Sequence, residues 1–270
     1  MKKVMPFIFL IILACSQGGD NKSMNQVAEN IKLNSADIKK LASKKIYFGH
    51  MSVGYNIIDG LKSILPADSG LNIVETSDPK DFLKPVFAHS KNGENTEPET
   101  KTAAFVEKMD AGLGNKVEVA FFKFCYVDLT AGTDVKLLFS SYKTAMNKLI
   151  NKYPQTKFLH MTAPLTTEDE SIKNNIKLLV KYLIGKKTGN EQDNIKRMEY
   201  NLLLKKEYGD KVFDLALIES SFNNEEITSN SGGVKHQKLL KHYTNDGGHL
   251  NKECSELVIV KLVRFINDQF

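Results

Sequence analysis

The chain has 270 residues, of which 41% are hydrophobic and 26% charged, so it can build one substantial core and has little apolar material for a second. Its 37 Lys and Arg against 32 Asp and Glu give a net charge of +5, which is too balanced for a nucleic-acid-binding surface. With 17 Gly, 7 Pro and 3 Cys, the composition also excludes collagenous, low-complexity and disulfide-framework chains.

The N-terminus is typical of a bacterial export signal. A basic start is followed by an apolar run from Met5 to Ala14, which is shorter than the roughly 20 residues that a membrane-spanning helix needs. The four residues ending in Cys15 read Ile-Leu-Ala-Cys and resemble a lipobox, in which the Cys is lipidated and becomes the new N-terminus. An ordinary signal peptide cleaved elsewhere, or a buried apolar strand, is the alternative interpretation.

The segment that follows is polar and rich in Gly, Asn and Ser, as a flexible tether would be. We therefore expect a lipoprotein signal peptide over residues 1–14, a tether over 15–34 and a folded domain over 35–270. The protein is then exported to the cell envelope and held at a membrane by acyl chains on Cys15, with its body in water.

From Ser35 onward, short apolar runs alternate with segments of helical periodicity, which indicates the α/β class with a parallel sheet. The predicted strands are Lys45–Gly49, Leu71–Glu75, Val117–Phe124, Lys157–Met161 and Val212–Ile218. Helices are predicted after the first and third strands, and also over Ser171–Ile184, Ile195–Tyr208 and Glu253–Ile266, with a turn at Gly185–Asn190. The stretch Asp78–Glu99 carries no strong pattern, and a loop of this length inside a domain is usually functional.

Ligands of open parallel sheets lie beyond the carboxyl ends of the strands, and two groups of polar residues fall there. Ser52 follows the first strand at the start of a helix, while Asp246 and His249 precede the last helix with two Gly between them. Taken singly, Ser52 could be a helix N-cap and the His could lie in a solvated turn. Together they offer a hydroxyl, an imidazole base and an orienting carboxylate, which is what nucleophilic acyl transfer requires.

At these residues the sequence resembles the SGNH/GDSL hydrolase superfamily, over roughly residues 44–270. The resemblance rests on Gly-His-Met-Ser-Val-Gly at 49–54, a variant of the Gly-Asp-Ser block, and on Asp-Gly-Gly-His-Leu-Asn at 246–251. It implies a three-layer α/β/α sandwich of the flavodoxin-like type, with a central five-stranded parallel sheet. It also implies that Ser52 is the nucleophile, His249 the general base and Asp246 its partner, and that no cofactor is needed.

The same resemblance implies an oxyanion hole that this chain completes only in part. The family's second block supplies a backbone amide, for which Gly93 is the candidate, although an Asn-Gly turn is equally expected there. The third block normally ends Gly-x-Asn-Asp, but here it reads Cys-Tyr-Val-Asp at 125–128, so that Val127 replaces the donating Asn.

A replacement donor is predicted in the loop after the second strand, where Asn95, or else Asn92, is the nearest side-chain amide. Asn95 could equally be a turn residue before Pro98. Failing both, Tyr126 or His50 could donate, and His50 is also a candidate for substrate contact.

The other histidines do not have metal-ligand spacing, and we predict no metal site. His160 is interpreted as a hydrogen-bonded core residue, and His89, His236 and His242 as surface or loop groups. The sequence leaves open whether Cys125 and Cys254 form a disulfide.

The function predicted from this pattern is a serine esterase of the cell envelope. It would remove a small O-acyl group from a carbohydrate or lipid through Ser52, His249 and Asp246. The alternative is a catalytically impaired lipoprotein of the same fold that binds glycan or assists envelope assembly, for which the absence of the third-block Asn is the reason.

Overall fold

The computed structural model describes residues 32–168 and 191–270. The predicted signal peptide, Cys15, almost all of the tether, the Ser171–Ile184 helix and the turn after it lie outside the described residues.

The strands are β1 (Lys45–His50), β2 (Ile73–Glu75), β3 (Val86–Lys91), β4 (Val119–Phe122), β5 (Lys157–Phe158), β6 (His160–Met161), β7 (Val212–Phe213), β8 (Ser221–Phe222), β9 (Glu225–Glu226), β10 (Thr228–Ser231) and β11 (Val234–Gln237). The α-helices are α1 (Ser35–Ala42), α2 (Val53–Ile64), α3 (Pro98–Asp110), α4 (Val135–Lys152), α5 (Glu191–Tyr208), α6 (Leu215–Glu219) and α7 (Lys252–Asp268).

The central sheet has five parallel strands in the order β2-β3-β1-β4-β5. Only Leu159 separates β5 from β6, and its N–H still donates to Ala120 O of β4 at 3.1 Å. β6 in turn pairs with β7 in parallel. The predicted α/β fold with a five-stranded parallel sheet is therefore confirmed, with β2 as the edge strand.

Helices cover both faces of this sheet, which makes three layers. Along β1 the side chains alternate, so that Ile46 and Phe48 pack with apolar residues of α2 and α7 on one face. Tyr47 points the other way and packs with apolar residues of α3, α4 and α5. A strand buried on both faces is typical of parallel sheets with helices on either side.

The segment Asp78–Glu99, predicted to be a loop without regular structure, is in large part regular. It contains a 3₁₀ turn at Pro79–Leu83, all of β3 and the first two residues of α3. β3 lies directly beside β1, so the residues that follow β3, Gly93 among them, reach the same edge of the sheet as Ser52.

The predicted strand Val212–Ile218 is also wrong in its second half. The strand ends at Phe213, because the Asp214 side chain accepts a hydrogen bond from Leu217 N and caps the short helix α6. Two antiparallel strand pairs, β8–β9 and β10–β11, follow before α7, and the sequence pattern did not predict them.

Helices α2 and α7 pack closely against each other on one face of the sheet. A Cβ atom at Gly60 of α2 would lie 2.6 Å from the carbonyl oxygen of Ser255 in α7, so only glycine permits this approach. Ser52 immediately precedes α2, and His249 lies just before the N-cap of α7. The helix contact therefore fixes the two chain segments that carry the predicted nucleophile and base.

Cys125 and Cys254 are both buried free thiols and do not form a disulfide. None of the helices in the described part of the chain combines the length and the apolar character needed to cross a bilayer. Within residues 32–168 and 191–270, no cluster of three or more His, Cys, Asp or Glu side chains is arranged to hold a metal ion.

Candidate active site

Ser52 occupies a sharp turn between β1 and α2. Its backbone has φ 52° and ψ −114°, a region that non-glycine residues rarely adopt and that costs about 1–3 kcal/mol. Its side chain makes no capping hydrogen bond to α2; the hydroxyl oxygen instead lies 2.7 Å from His249 Nε2. The turn therefore presents the hydroxyl to the imidazole, which is not what a plain N-cap would do.

His249 is held on its other side by Asp246. The Nδ1 atom of His249 lies 2.6 Å from Asp246 Oδ2, and the backbone N–H of His249 donates to Oδ1 at 2.8 Å. The N–H of Gly248 donates to the same Oδ1 at 3.0 Å, and Gly247 adopts φ 90°. The carboxylate thus organises its own loop and fixes the imidazole with Nε2 facing Ser52.

The protonation of Asp246 suits this arrangement. Burial alone would raise the pKa of Asp246, but hydrogen bonds from the backbone and side chain of His249, with one from Gly248 N, outweigh it and lower the pKa to about 2. The carboxylate is therefore ionised throughout the neutral pH range. The side chains of His249 and Asp246 are 42% and 56% exposed, so the three residues lie at the surface.

Gly93 follows β3 in a conformation that only glycine accommodates easily. Its φ is +64°, and a Cβ there would lie 2.5 Å from Lys101 Cα. The preceding residue, Asn92, donates its N–H to His50 O at 3.1 Å, which sets Gly93 beside the end of β1. The predicted oxyanion-hole glycine thus follows β3, the strand beside β1, which Ser52 follows.

The loop that contains Gly93 is fixed by a buried ion pair. Lys101 Nζ lies 3.1 Å from Asp128 Oδ2, and both side chains are fully buried. The carboxylate also accepts hydrogen bonds from Thr96 N at 2.9 Å and from Cys125 N at 2.6 Å. One carboxylate therefore ties the loop after β3 to the turn after β4.

The two asparagines predicted as donors differ in their placement. Asn95 is exposed, and its Oδ1 accepts a hydrogen bond from Lys101 Nζ at 2.8 Å. Asn92 is buried and donates through Nδ2 to Lys101 O at 2.8 Å. Asn92 is thus engaged in holding α3, while the role of Asn95 stays a prediction.

His50 is not placed to contact a substrate, contrary to the prediction. It is completely buried, its Nε2 lies 3.0 Å from His89 Nδ1, and its ring packs against Gly54 at the start of α2. Burial, reinforced by the nearby charge of Lys123, lowers the pKa of His50 to about 2, so the imidazole is neutral. Its place is beneath the site, as a packing group between β1 and α2.

Of the remaining histidines, His89 and His236 are more deeply buried than the sequence indicated. His160 is a core residue as predicted, since its Nδ1 lies 2.6 Å from the Tyr142 hydroxyl. His89 and His236 are also buried, and His236 Nε2 lies 2.7 Å from Glu168 Oε1. His242 is about half exposed, as expected for a loop.

Tyr126, which the sequence offered only as a fallback donor, lies in the site. Its ring meets that of His249 edge to face with centroids 5.7 Å apart. A Cβ at Gly248 would lie 2.7 Å from Tyr126 Cζ, so the absence of that side chain makes room for the phenol. Burial and then the charge of Asp246 raise the pKa of Tyr126, so the phenol stays protonated at neutral pH.

A polar side chain of α5 binds the loop that contacts the Asp246–His249 turn. Asn201 makes two hydrogen bonds with the backbone of Ala163, one through each end of its amide, at 2.7 and 3.0 Å. The loop after β6 continues to Thr167, whose N–H donates to Gly247 O at 2.9 Å. The conformation of the Asp246–His249 turn is therefore linked through this loop to α5.

Comparison with known proteins gives matches among solved structures only; no family model and no curated protein matches the chain. A lipase/acylhydrolase from Enterococcus faecalis is 13% identical, covers 84% of this chain and 96% of its own, and has a TM-score of 0.47. The periplasmic domain of a lipopolysaccharide acetyltransferase from Salmonella ser. Paratyphi A is 13% identical over 93% of this chain and 98% of its own, with a TM-score of 0.44. A member of the lipolytic protein G-D-S-L family from Veillonella parvula is 14% identical over 81% and 95%, with a TM-score of 0.43. These matches are reported as similarities only. The roles of individual residues are argued from the geometry described above.

Proposed function

We propose that this protein is a serine ester hydrolase of the SGNH/GDSL type. The observation that carries the proposal is the continuous hydrogen-bonded chain from Ser52 Oγ through His249 to Asp246, with distances of 2.7 and 2.6 Å. Those three side chains come from two segments separated by almost the whole domain. A hydroxyl aligned with a base that is itself aligned by a carboxylate is the arrangement of a catalytic triad.

In this mechanism Ser52 Oγ attacks the ester carbonyl carbon while its proton moves to His249 Nε2. Asp246 keeps the proton on His249 Nδ1 and stabilises the imidazolium that forms. His249 then protonates the leaving alcohol, and an acyl group remains on Ser52. Water attacks that acyl group in a second half-reaction, again with His249 as base, and releases the carboxylic acid.

The substrate class we propose is a small O-acyl group carried on a carbohydrate or lipid. The exposure of the His249 and Asp246 side chains supports this choice. An ester attached to a bulky headgroup or polymer can approach a surface-exposed triad without entering an enclosed pocket. The predicted envelope location would bring the protein close to such molecules.

The triad is tested by comparing Ser52→Ala with the Ser52→Ala/His249→Ala double variant, using a small aryl ester. Because the residues act as a unit, Ser52→Ala should lose about 10⁶-fold in kcat, and the double variant should lose hardly more. Ser141→Ala, at an exposed position of α4, is the matched control and should keep full activity. Circular dichroism would establish that all variants fold.

A fluorophosphonate probe separates this function from the alternative of a catalytically impaired binding protein. An activated serine is labelled covalently, so the parent protein and Ser141→Ala should react and Ser52→Ala should not. If the parent protein does not react, or if Ser52→Ala retains turnover, the hydrolase assignment is wrong. In that case a glycan-binding or assembly role would become the better account.

We also propose that the protein is anchored to a membrane through lipid on Cys15. The proposal is supported by the basic start, the short apolar run and the Ile-Leu-Ala-Cys sequence. Replacing Cys15 by Ala should block processing or release the protein from the membrane fraction, which immunoblotting of fractionated cells would show. An unchanged membrane fraction with unchanged processing would exclude this anchor.

A further inference from the structure

We propose that the Tyr126 hydroxyl is a catalytic group that donates a hydrogen bond to the oxyanion, in place of the side-chain amide that this chain lacks at Val127. The inference rests on the proposed esterase function. The acyl transfer described above places a negative charge on the former carbonyl oxygen, and this charge lacks the side-chain donor expected at Val127. Each missing donor to that charge typically costs about 10²–10³ in rate.

Two donors come from the backbone. The N–H groups of Ser52 and Gly93 make no hydrogen bond with any other group in the described part of the chain. They follow the neighbouring strands β1 and β3 at the same edge of the sheet. Two N–H groups without partners at the ends of adjacent strands can converge on one oxygen.

A third donor is expected from the far side of β1, where β4 ends. The first turn after β4 is the 3₁₀ segment Tyr126–Asp128, and the ring of Tyr126 meets that of His249 with centroids 5.7 Å apart. Its hydroxyl oxygen would lie 2.9 Å from a Cβ at Gly248, which places the phenol over the loop that carries the base. The hydroxyl thus lies beside the loop of His249, whose Nε2 is 2.7 Å from the Ser52 hydroxyl.

The rest of Tyr126 is held rigidly, as an oxyanion donor must be. Arg197 of α5 is itself buried and donates from Nε to Tyr126 O at 3.0 Å. Its guanidinium also lies 6.0 Å from the centre of the Tyr126 ring. The raised pKa of the phenol keeps its proton in place, so that the hydroxyl can donate throughout the neutral range.

In the attack step, the bond between Ser52 Oγ and the carbonyl carbon forms as the carbonyl π electrons move onto oxygen. The serine proton goes to His249 Nε2, and the new oxyanion accepts hydrogen bonds from Ser52 N, Gly93 N and Tyr126 Oη. When the carbonyl re-forms, the electron pair returns and the alcohol leaves with the proton from His249. Tyr126 remains protonated throughout and transfers nothing.

The test is Tyr126→Phe, which removes the hydroxyl and keeps the ring against His249. We expect kcat toward a small aryl ester to fall about 10²-fold or more, with KM changed by less than about threefold. The rate of phosphonylation by a fluorophosphonate should fall in parallel, because its phosphoryl oxygen, which gains negative charge as Ser52 attacks phosphorus and before fluoride leaves, would occupy the same hole. Rates are normalised to the concentration of titratable active sites, so that a misfolded fraction does not affect the result.

Tyr153→Phe is the matched control, since it removes a phenol hydroxyl that binds Asp110 at 2.8 Å, outside the site. It should keep parental kcat. The inference is overturned if Tyr126→Phe keeps kcat within about threefold of the parent, or if its effect falls on KM alone. Loss of activity in Ser52→Ala together with full activity in Tyr126→Phe would leave the esterase function standing and remove only the role of Tyr126.

Discussion

Replacement of Lys101 by Met tests how the loop after β3 is held. The substitution keeps most of the side-chain volume but removes the ammonium group that lies 3.1 Å from Asp128 Oδ2 and 2.8 Å from Asn95 Oδ1. Breaking a buried ion pair on one side costs about 3–5 kcal/mol, because a charge is left without its partner. Asp128 keeps the N–H donors of Thr96 and Cys125, so we expect the lower end, about 3 kcal/mol.

Urea unfolding followed by circular dichroism measures this loss, and the melting temperature should fall by about 6–12 °C. The matched control is Lys143→Met, which breaks a partly exposed pair with Glu207 and should cost less than about 1 kcal/mol. Because the Lys101 ammonium also binds Asn95 in the loop that contains Gly93, its removal should loosen that loop, and kcat should fall in the folded Lys101→Met protein. A loss of stability below about 1 kcal/mol would refute the argument that this pair holds the loop.

Three further predictions concern the carboxyl group of Glu219 and the backbone of the site. Burial raises the pKa of Glu219 from 4.5 to about 8, so the folded protein retains a proton that the unfolded chain releases; stability should decline as pH rises from about 4.5 to 8, and Glu219→Gln should flatten that decline in melting temperature. Ser52→Gly should be about 1 kcal/mol more stable than Ser52→Ala in urea unfolding, because glycine relieves the strain at φ 52°; equal stabilities would mean that the turn is not strained. Gly93→Ala should lower kcat at least about tenfold and destabilise the fold, since its Cβ meets the Lys101 backbone, whereas Gly70→Ala, with φ +68° and open space around it, should leave kcat unchanged; parental kcat in Gly93→Ala would exclude a role for that amide.

The sequence was sufficient to predict those parts of the site that are local in the chain. Asp246 and His249 lie three residues apart in a glycine-containing turn, so their hydrogen bond needs no distant contact. Ser52 was found because it stands at a strand-to-helix junction. That its hydroxyl turns away from α2 toward His249 depends on a backbone conformation that the residue types do not reveal.

The parts that were missed depend on contacts between distant segments. β3 has the apolar start Val-Phe-Ala after Pro85, but it is short and buried on both faces, so it lacks the alternation of a half-exposed strand. The run Val212–Ile218 is apolar for most of its length, and such a run does not distinguish a strand from a buried helix. Asp214 interrupts that run and is a common N-cap residue type, so it was the signal that a strand ends before it and a helix begins after it.

The burial of charged groups could not be anticipated either. Lys101 lies in a helix of otherwise mixed polarity, and nothing in its neighbourhood in the sequence marks it as fully buried. Its partner Asp128 is identified only when the loop after β3 meets the turn after β4. His50 was misjudged for a related reason, since the absence of a side chain at Gly54, at the start of α2, leaves space for the buried imidazole ring.

The separation of Ser52 from His249 along the chain has a consequence for biogenesis. The two residues are 197 positions apart, and the close packing of α7 on α2 brings together the two segments that carry them. A truncated chain that lacks residue 249 would carry the proposed nucleophile without its proposed base, so under the proposed mechanism it would not hydrolyse esters. The proposed activity would therefore require that both segments have been synthesised and have folded together.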